Sequence, residues 1–155
     1  MNNLKTILVI LVSVLGLTVV ANSTAGQRVA MSYQVQQILS EVDRAVTAGR
    51  TNDALSMLAK HERTLYRAGA GAEAASLSCR AHFVASDYAA ALAACDSALD
   101  KRSNHWSDFN NRGAAKMQLG DVSGAVSDFR KARQLEPGSA LVRRNLGNAE
   151  RALAQ

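Results

Sequence analysis

Residues Gly120 to Pro137, GDVSGAVSDFRKARQLEP, decide the fold. Val122, Ala125, Val126, Phe129 and Ala132 recur at the three- and four-residue intervals of one helix face. Gly120 suits the left-handed position that closes a preceding helix, and Pro137, lacking an N–H, stops this one. Thirty-four residues upstream, Ser86 to Ser103, SDYAAALAACDSALDKRS, carries the same pattern. Asp121 matches Asp87, Val122 matches Tyr88, Ala125 matches Ala91, Phe129 matches Cys95, Ala132 matches Ala98 and Pro137 matches Ser103. A fixed period of this kind implies repeated units that share one packing solution.

Each of these stretches is the second helix of a hairpin. The first helices are expected from about Ala72 to Ala85 and from about His105 to Leu119, each closed by a short turn. Ser139 then offers a side-chain oxygen to the free amides of a further helix. Composition agrees with an all-α chain: 48% of its 155 residues are apolar, there is one proline, and strand-like alternation is missing after the N-terminus.

Phe109, Gly113, Gly120, Ala125, Phe129, Ala132 and Pro137 stand where the tetratricopeptide repeat keeps its large and small signature residues, and the chain resembles that family. The resemblance implies antiparallel helix-turn-helix units stacked as a short right-handed solenoid. Units are expected at 72–105 and 106–139, and Asn145 to Ala149 resembles the start of another first helix, a cap over 140–155. Upstream, Ile38, Val42, Ala45, Val46, Gly49, Ala54 and Leu58 fit a degenerate unit at about 35–68, with His61 where a small residue belongs. Its offset is thirty-seven residues, and the extra three are assigned to a flexible connection, Ala68-Gly69-Ala70-Gly71. A phosphate-binding reading of Gly69 and Gly71 lacks a preceding strand and a following lysine. The repeat domain thus covers 35–155, after a short lead-in at 26–34.

Residues 1–25 are of a different composition. Lys5 precedes the apolar run Thr6 to Val20, and Ala21, Ser23 and Ala25 follow, which is the pattern of a signal peptide. Fifteen residues make about 23 Å of helix, short of the roughly 30 Å of a bilayer's hydrocarbon core. Cleavage after Ala21 or Ala25 is expected, with an uncleaved inner-membrane anchor facing the periplasm as the alternative. The expected compartment is a bacterial periplasm. No cysteine near this junction could carry a lipid, and the sequon Asn22-Ser23-Thr24 lies too close to the cleavage site to carry weight.

Losing Lys5, the only charge in this segment, takes the formal net charge from +5 to +4. The surplus sits in residues 101–155, with ten Lys or Arg against five Asp or Glu. A solvated helix surface is the expected reading, an acidic protein or a phospholipid headgroup would also fit, and nucleic acid is the least expected partner without aromatic and basic interleaving.

Cys79 and Cys95 fall at the repeat positions of Gly113 and Phe129, each eight residues from Asp87. That places each about 12 Å along its own helix, facing the other. In an exported chain with two cysteines a disulfide is expected; two buried free thiols are the alternative. A redox motif would want C-x-x-C spacing.

His61, His82 and His105 have no partners at ligand or catalytic-base spacing, and no nucleophile elbow or phosphate loop occurs. Neither a metal, a cofactor nor enzymatic activity is expected. The family resemblance implies a peptide or partner helix held on the concave face of the first helices, and Arg80, Phe83, Asn110, Asn111, Met117, Arg144 and Asn148 stand at matching positions. The carboxylate clamp of chaperone-binding members is matched out of order by Asn111, Arg144 and Asn148, so a chaperone C-terminus is not expected. The function implied is a protein-interaction scaffold or adaptor of the cell envelope. A membrane-anchored assembly factor for a pilus, secretion or envelope machine is the alternative, touching the membrane only through an uncleaved N-terminus. The degenerate first unit leaves a face open to pairing with another copy.

The cysteine pairing carries its own test. Denatured protein without reductant should show no titratable thiol; two thiols would overturn the pairing.

Overall fold

The computed structural model of the chain describes residues 24–155; the signal-peptide reading of 1–25 lies almost wholly outside them. The described residues form seven helices. They are α1 (Thr24–Thr47), α2 (Thr51–Arg67), α3 (Gly71–Val84), α4 (Tyr88–Lys101), α5 (Trp106–Gln118), α6 (Val122–Leu135) and α7 (Ala140–Leu153). Consecutive helices pack as hairpins, and the first helix of each unit also packs against that of the next, α1 on α3, α3 on α5 and α5 on α7. The fold is the expected stack of three hairpins with a terminal helix.

The hairpin turns share one backbone solution. Gly49, Ser86 and Gly120 each have positive φ, and their N–H groups reach the carbonyls of Val46, Phe83 and Met117. The next residue in each case reaches back five positions: Arg50 to Ala45, Asp87 to His82, Asp121 to Lys116, at 2.9–3.0 Å. This double bond satisfies carbonyls that a helix end leaves free. Asp87 and Asp121 then accept from the backbone N–H of Ala90 and Gly124, and Ser139 caps α7 by accepting from Val142.

The N-terminal unit adds one feature to the sequence expectation and corrects another. The lead-in at 26–34 is helical and belongs to α1, whose first buried side chain is Val35. The connection at 68–71 is not a flexible linker. Gly69 takes φ 74°, the N–H of Ala70 bonds to the Leu65 carbonyl at 2.9 Å, and Ala70 is buried. The three extra residues lie within α2, which has 17 residues where α4 and α6 have 14.

Two apolar clusters carry the core. Val35, Ile38, Val42, Ala45 and Val46 of α1 meet Ala54, Leu58 and Leu65 of α2 and Leu77 and Ala81 of α3. At the other end Ala125, Val126 and Phe129 meet Leu146 and Ala149 of α7. In the hairpin of α5 and α6 the closest approach is at Gly113: a Cβ there would lie 2.9 Å from the Phe129 ring. The hairpin of α3 and α4 puts Cys79 and Cys95 in the same two places, both fully buried, with Cα atoms 5.0 Å apart and the sulfurs joined. A bridge across sixteen residues stabilises by about 3 kcal/mol in the chain-entropy model.

Ser86 is the non-glycine residue at a turn position with φ 61°. A side chain in the left-handed region costs about 1–2 kcal/mol. Ser86→Gly should therefore raise unfolding free energy by about 1 kcal/mol, read from denaturant midpoints at unchanged slope. An unchanged or lowered midpoint would contradict this account of the turn.

Candidate functional site

The first helices line one face of the stack. Along it runs a groove of about 710 Å³, walled by α1 through Val35, Leu39 and Asp43 and by α3 through Glu73, Leu77 and Arg80. Arg28 and Arg67 stand at its edge, and Arg102, His105 and Ser107 close its far end. Leucine and valine give it an apolar floor, and four arginines against Asp43 and Glu73 give it a cationic surplus.

Two of the four arginines in this groove are held in place. The Arg80 guanidinium donates to the Asp43 carboxylate, tying α3 to α1. Arg102 follows α4 and reaches Glu73 Oε1 at 3.4 Å, Ser76 Oγ at 3.2 Å and Asp108 Oδ2 at 3.5 Å. Asp108 is fully buried in the first turn of α5, with His105 Nδ1 at 3.1 Å from the same oxygen. Its other oxygen and the Arg102 Nε have no hydrogen-bond partner among the described residues. A carboxylate buried this deeply depends on its cationic neighbour, so Arg102 is fixed to the stack rather than free to swing.

The seven sequence-predicted groove residues are scattered. Arg80 lines the groove. Phe83 instead packs across the turn onto Tyr88, with ring centroids 5.5 Å apart. Asn110 is buried and accepts from Asn145 Nδ2 at 2.9 Å, which corrects its reading as an open contact: it joins α5 to α7. Asn111 is half-buried, and Met117 packs partly against the cluster around Phe129. Arg144 and Asn148 are exposed on α7, where Asn148 accepts from Arg151. The groove thus lies in the N-terminal half. Its α1 residues escaped sequence reading because the degenerate unit gave that helix a core stripe but no signature on its other face.

A second polar cluster lies away from this groove. Arg112 of α5 donates to Asp128 of α6 through Nε at 2.9 Å and Nη2 at 2.6 Å, and to Asp96 of α4 through Nη1 at 2.8 Å. Lys116 Nζ is 2.9 Å from Asp128, and the guanidinium lies over the Phe109 ring. The hydrogen bonds that Arg112 donates to Asp128 dominate in pushing the Arg112 pKa further up. These contacts make the cluster a structural brace between successive second helices. Among the described residues no group of His, Cys, Asp and Glu converges as metal ligands, and no helix is long and apolar enough to cross a membrane.

No protein-family model matches the chain, and no curated protein matches it in sequence. Solved structures do. The first TPR domain of Spaghetti (RPAP3), bound to an HSP90 peptide, superposes with a TM-score of 0.70 at 19% identity over 80% of this chain and 96% of that one. The second TPR domain of human RPAP3, in complex with an HSP70 peptide, gives 0.66 at 22% identity over 77% and 98%. The Sgt2 TPR domain from Aspergillus fumigatus gives 0.69 at 18% over 78% and 80%. Identities this low speak to architecture, and the chain has the fold of tetratricopeptide (TPR) repeat domains.

Proposed function

We propose that this chain is a non-enzymatic interaction scaffold of the tetratricopeptide family, which holds an acidic, extended segment of a partner protein in the groove between α1 and α3. The observation that carries the reading is the groove itself: an apolar floor under Arg28, Arg67 and Arg80, opposed by Asp43, with Arg102 held at the far end by Asp108 and Glu73. Apolar contact supplies area, and guanidinium groups supply directed bonds to carboxylates. RPAP3 domains of the same fold are described with bound HSP90 and HSP70 peptides, which supports a peptide as the ligand class. The order of clamp residues in this chain favours a partner other than a chaperone C-terminus. The working compartment is the cell envelope, on the periplasmic side, and the support for it is the export pattern of residues 1–25 and the cysteine pair.

Peptides selected from a random library on the purified protein should be rich in Asp and Glu. Their affinity, read by fluorescence anisotropy, should fall at least about tenfold, or about 1.4 kcal/mol, in an Arg28→Glu/Arg80→Glu variant. Selected peptides without acidic bias, or affinity unchanged by the double substitution, would overturn the groove assignment. Cell fractionation reads the compartment separately: a chain lacking its first 21 or 25 residues should appear in the periplasmic fraction, and a cytosolic full-length chain would refute export.

A further inference from the structure

The opposite face of α3 carries a second groove, of about 740 Å³, and its origin is visible in the repeat. Gly71, Ala74, Ala75 and Ser78 form its floor, on the face turned away from Glu73, Ser76, Leu77 and Arg80. Its walls are α2 and α4, the second helices of successive hairpins. One unit later the same place is filled. Phe109 and Arg112 stand thirty-four residues after Ala75 and Ser78, and Arg112 reaches across to Asp96 and Asp128. Asp128 has Ala94 as its counterpart at the same offset, and Asp96 has Ala59, counted nine residues on from the turn residues Asp87 and Arg50. Phe109, Arg112 and the two carboxylates are therefore replaced by small residues, Lys116 has His82 in its place, and the backbone stack is retained.

What remains is an apolar trough with a cationic rim. Leu55, Leu58 and Leu65 face into it from α2, and Arg63, Arg67 and Lys101 outnumber Glu62 at its edge. Among the described residues Arg63 has no ion-pair partner, and Tyr66 on the same rim is 78% exposed. Unpaired rim charge and an exposed ring fit an acidic partner, not a second copy of a chain whose own net charge is +5.

We infer that this groove between α2 and α4 docks an amphipathic helix of a second protein, with a large apolar side chain entering above Ala75 and Ser78 and carboxylates meeting Arg63, Arg67 and Lys101. The inserted side chain does from outside what Phe109 and Arg112 do from within, filling the space over the first half of a first helix. A helix is the occupant because a trough walled by two helices presents a row of contacts that side chains at i, i+3, i+4 and i+7 can reach. The two grooves use opposite stripes of α3, and Arg67 stands at the edge of both.

The test uses a fluorescein-labelled helical peptide with Phe and Leu at i, i+3, i+4 and i+7 and Glu elsewhere, and the same peptide with Lys for Glu. The acidic peptide should bind the purified protein, and the lysine version should bind at least about tenfold more weakly. Ala75→Phe, which copies the filled unit, should abolish binding, and Arg63→Glu/Lys101→Glu should weaken it at least about tenfold. Arg133→Glu, an exposed position on α6 that lines neither groove, should leave it unchanged. Circular dichroism checks that Ala75→Phe is folded, and the exposed basic pair decides the matter if it is not. No binding of the acidic peptide, equal binding of both peptides, or full binding by folded Ala75→Phe would each overturn the inference. A dimer in sedimentation that Ala75→Phe dissolves would overturn it too, in favour of a second copy as occupant.

Discussion

The distance between the two helices of a hairpin is the constraint on which the rest of this molecule depends. Gly113 sets it in the hairpin of α5 and α6, where the Phe129 ring occupies the space a side chain would need. In the hairpin of α3 and α4 the same two positions hold Cys79 and Cys95, joined at a Cα separation of 5.0 Å. One hairpin uses a large ring against a bare backbone, the other two small side chains and a covalent bond. Both fill the midpoint densely, as close-packed interiors require. With that spacing held, the turns recur, the first helices stack on one another, and each unit presents two opposite stripes.

The stripes then diverge in chemistry because only the midpoint is constrained. In the unit of α5 the outer stripe is closed by Phe109 and Arg112, with Arg112 gripping Asp128 and Asp96. A partly buried guanidinium flanked by two carboxylates is satisfied internally and has little to offer a partner. In the unit of α3 the same stripe is Ala75 and Ser78, and the charges are at the rim instead, facing solvent. Polar groups spent on bracing one unit are absent from the other, where apolar surface is left open.

The inner face shows the reverse distribution. Its C-terminal part is knitted together, as Asn145 donates to Asn110 and Met117 leans on the Phe129 cluster. Its N-terminal part opens between α1 and α3, with Arg80 and Asp43 paired across it and Arg102 anchored at the end by Asp108. The length of α1, 24 residues where the other first helices have 13 or 14, extends this wall beyond the repeat. The two grooves on opposite faces of α3 therefore both lie in the first half of the stack.

Read alone, the chain determined its helices, its period and its midpoint contacts, because these rest on local rules: apolar residues at helical spacing, Gly120 and Pro137 as terminators, small residues where helices cross. The facing of Cys79 and Cys95 followed from counting outward from Asp87, which is also local geometry. Tertiary structure alone decided which polar residues are available. Asn110 and Arg80 lie one turn apart on the same stripe of successive first helices, yet one is buried against Asn145 and the other lines an open groove. The turn at Gly69 and the helix across residues 26–34 were equally hidden, since the first unit departs from the repeat that made the others legible. Whether a side chain is used for packing or left for a partner depends on what the neighbouring helix places opposite it, and that neighbour lies dozens of residues away in sequence.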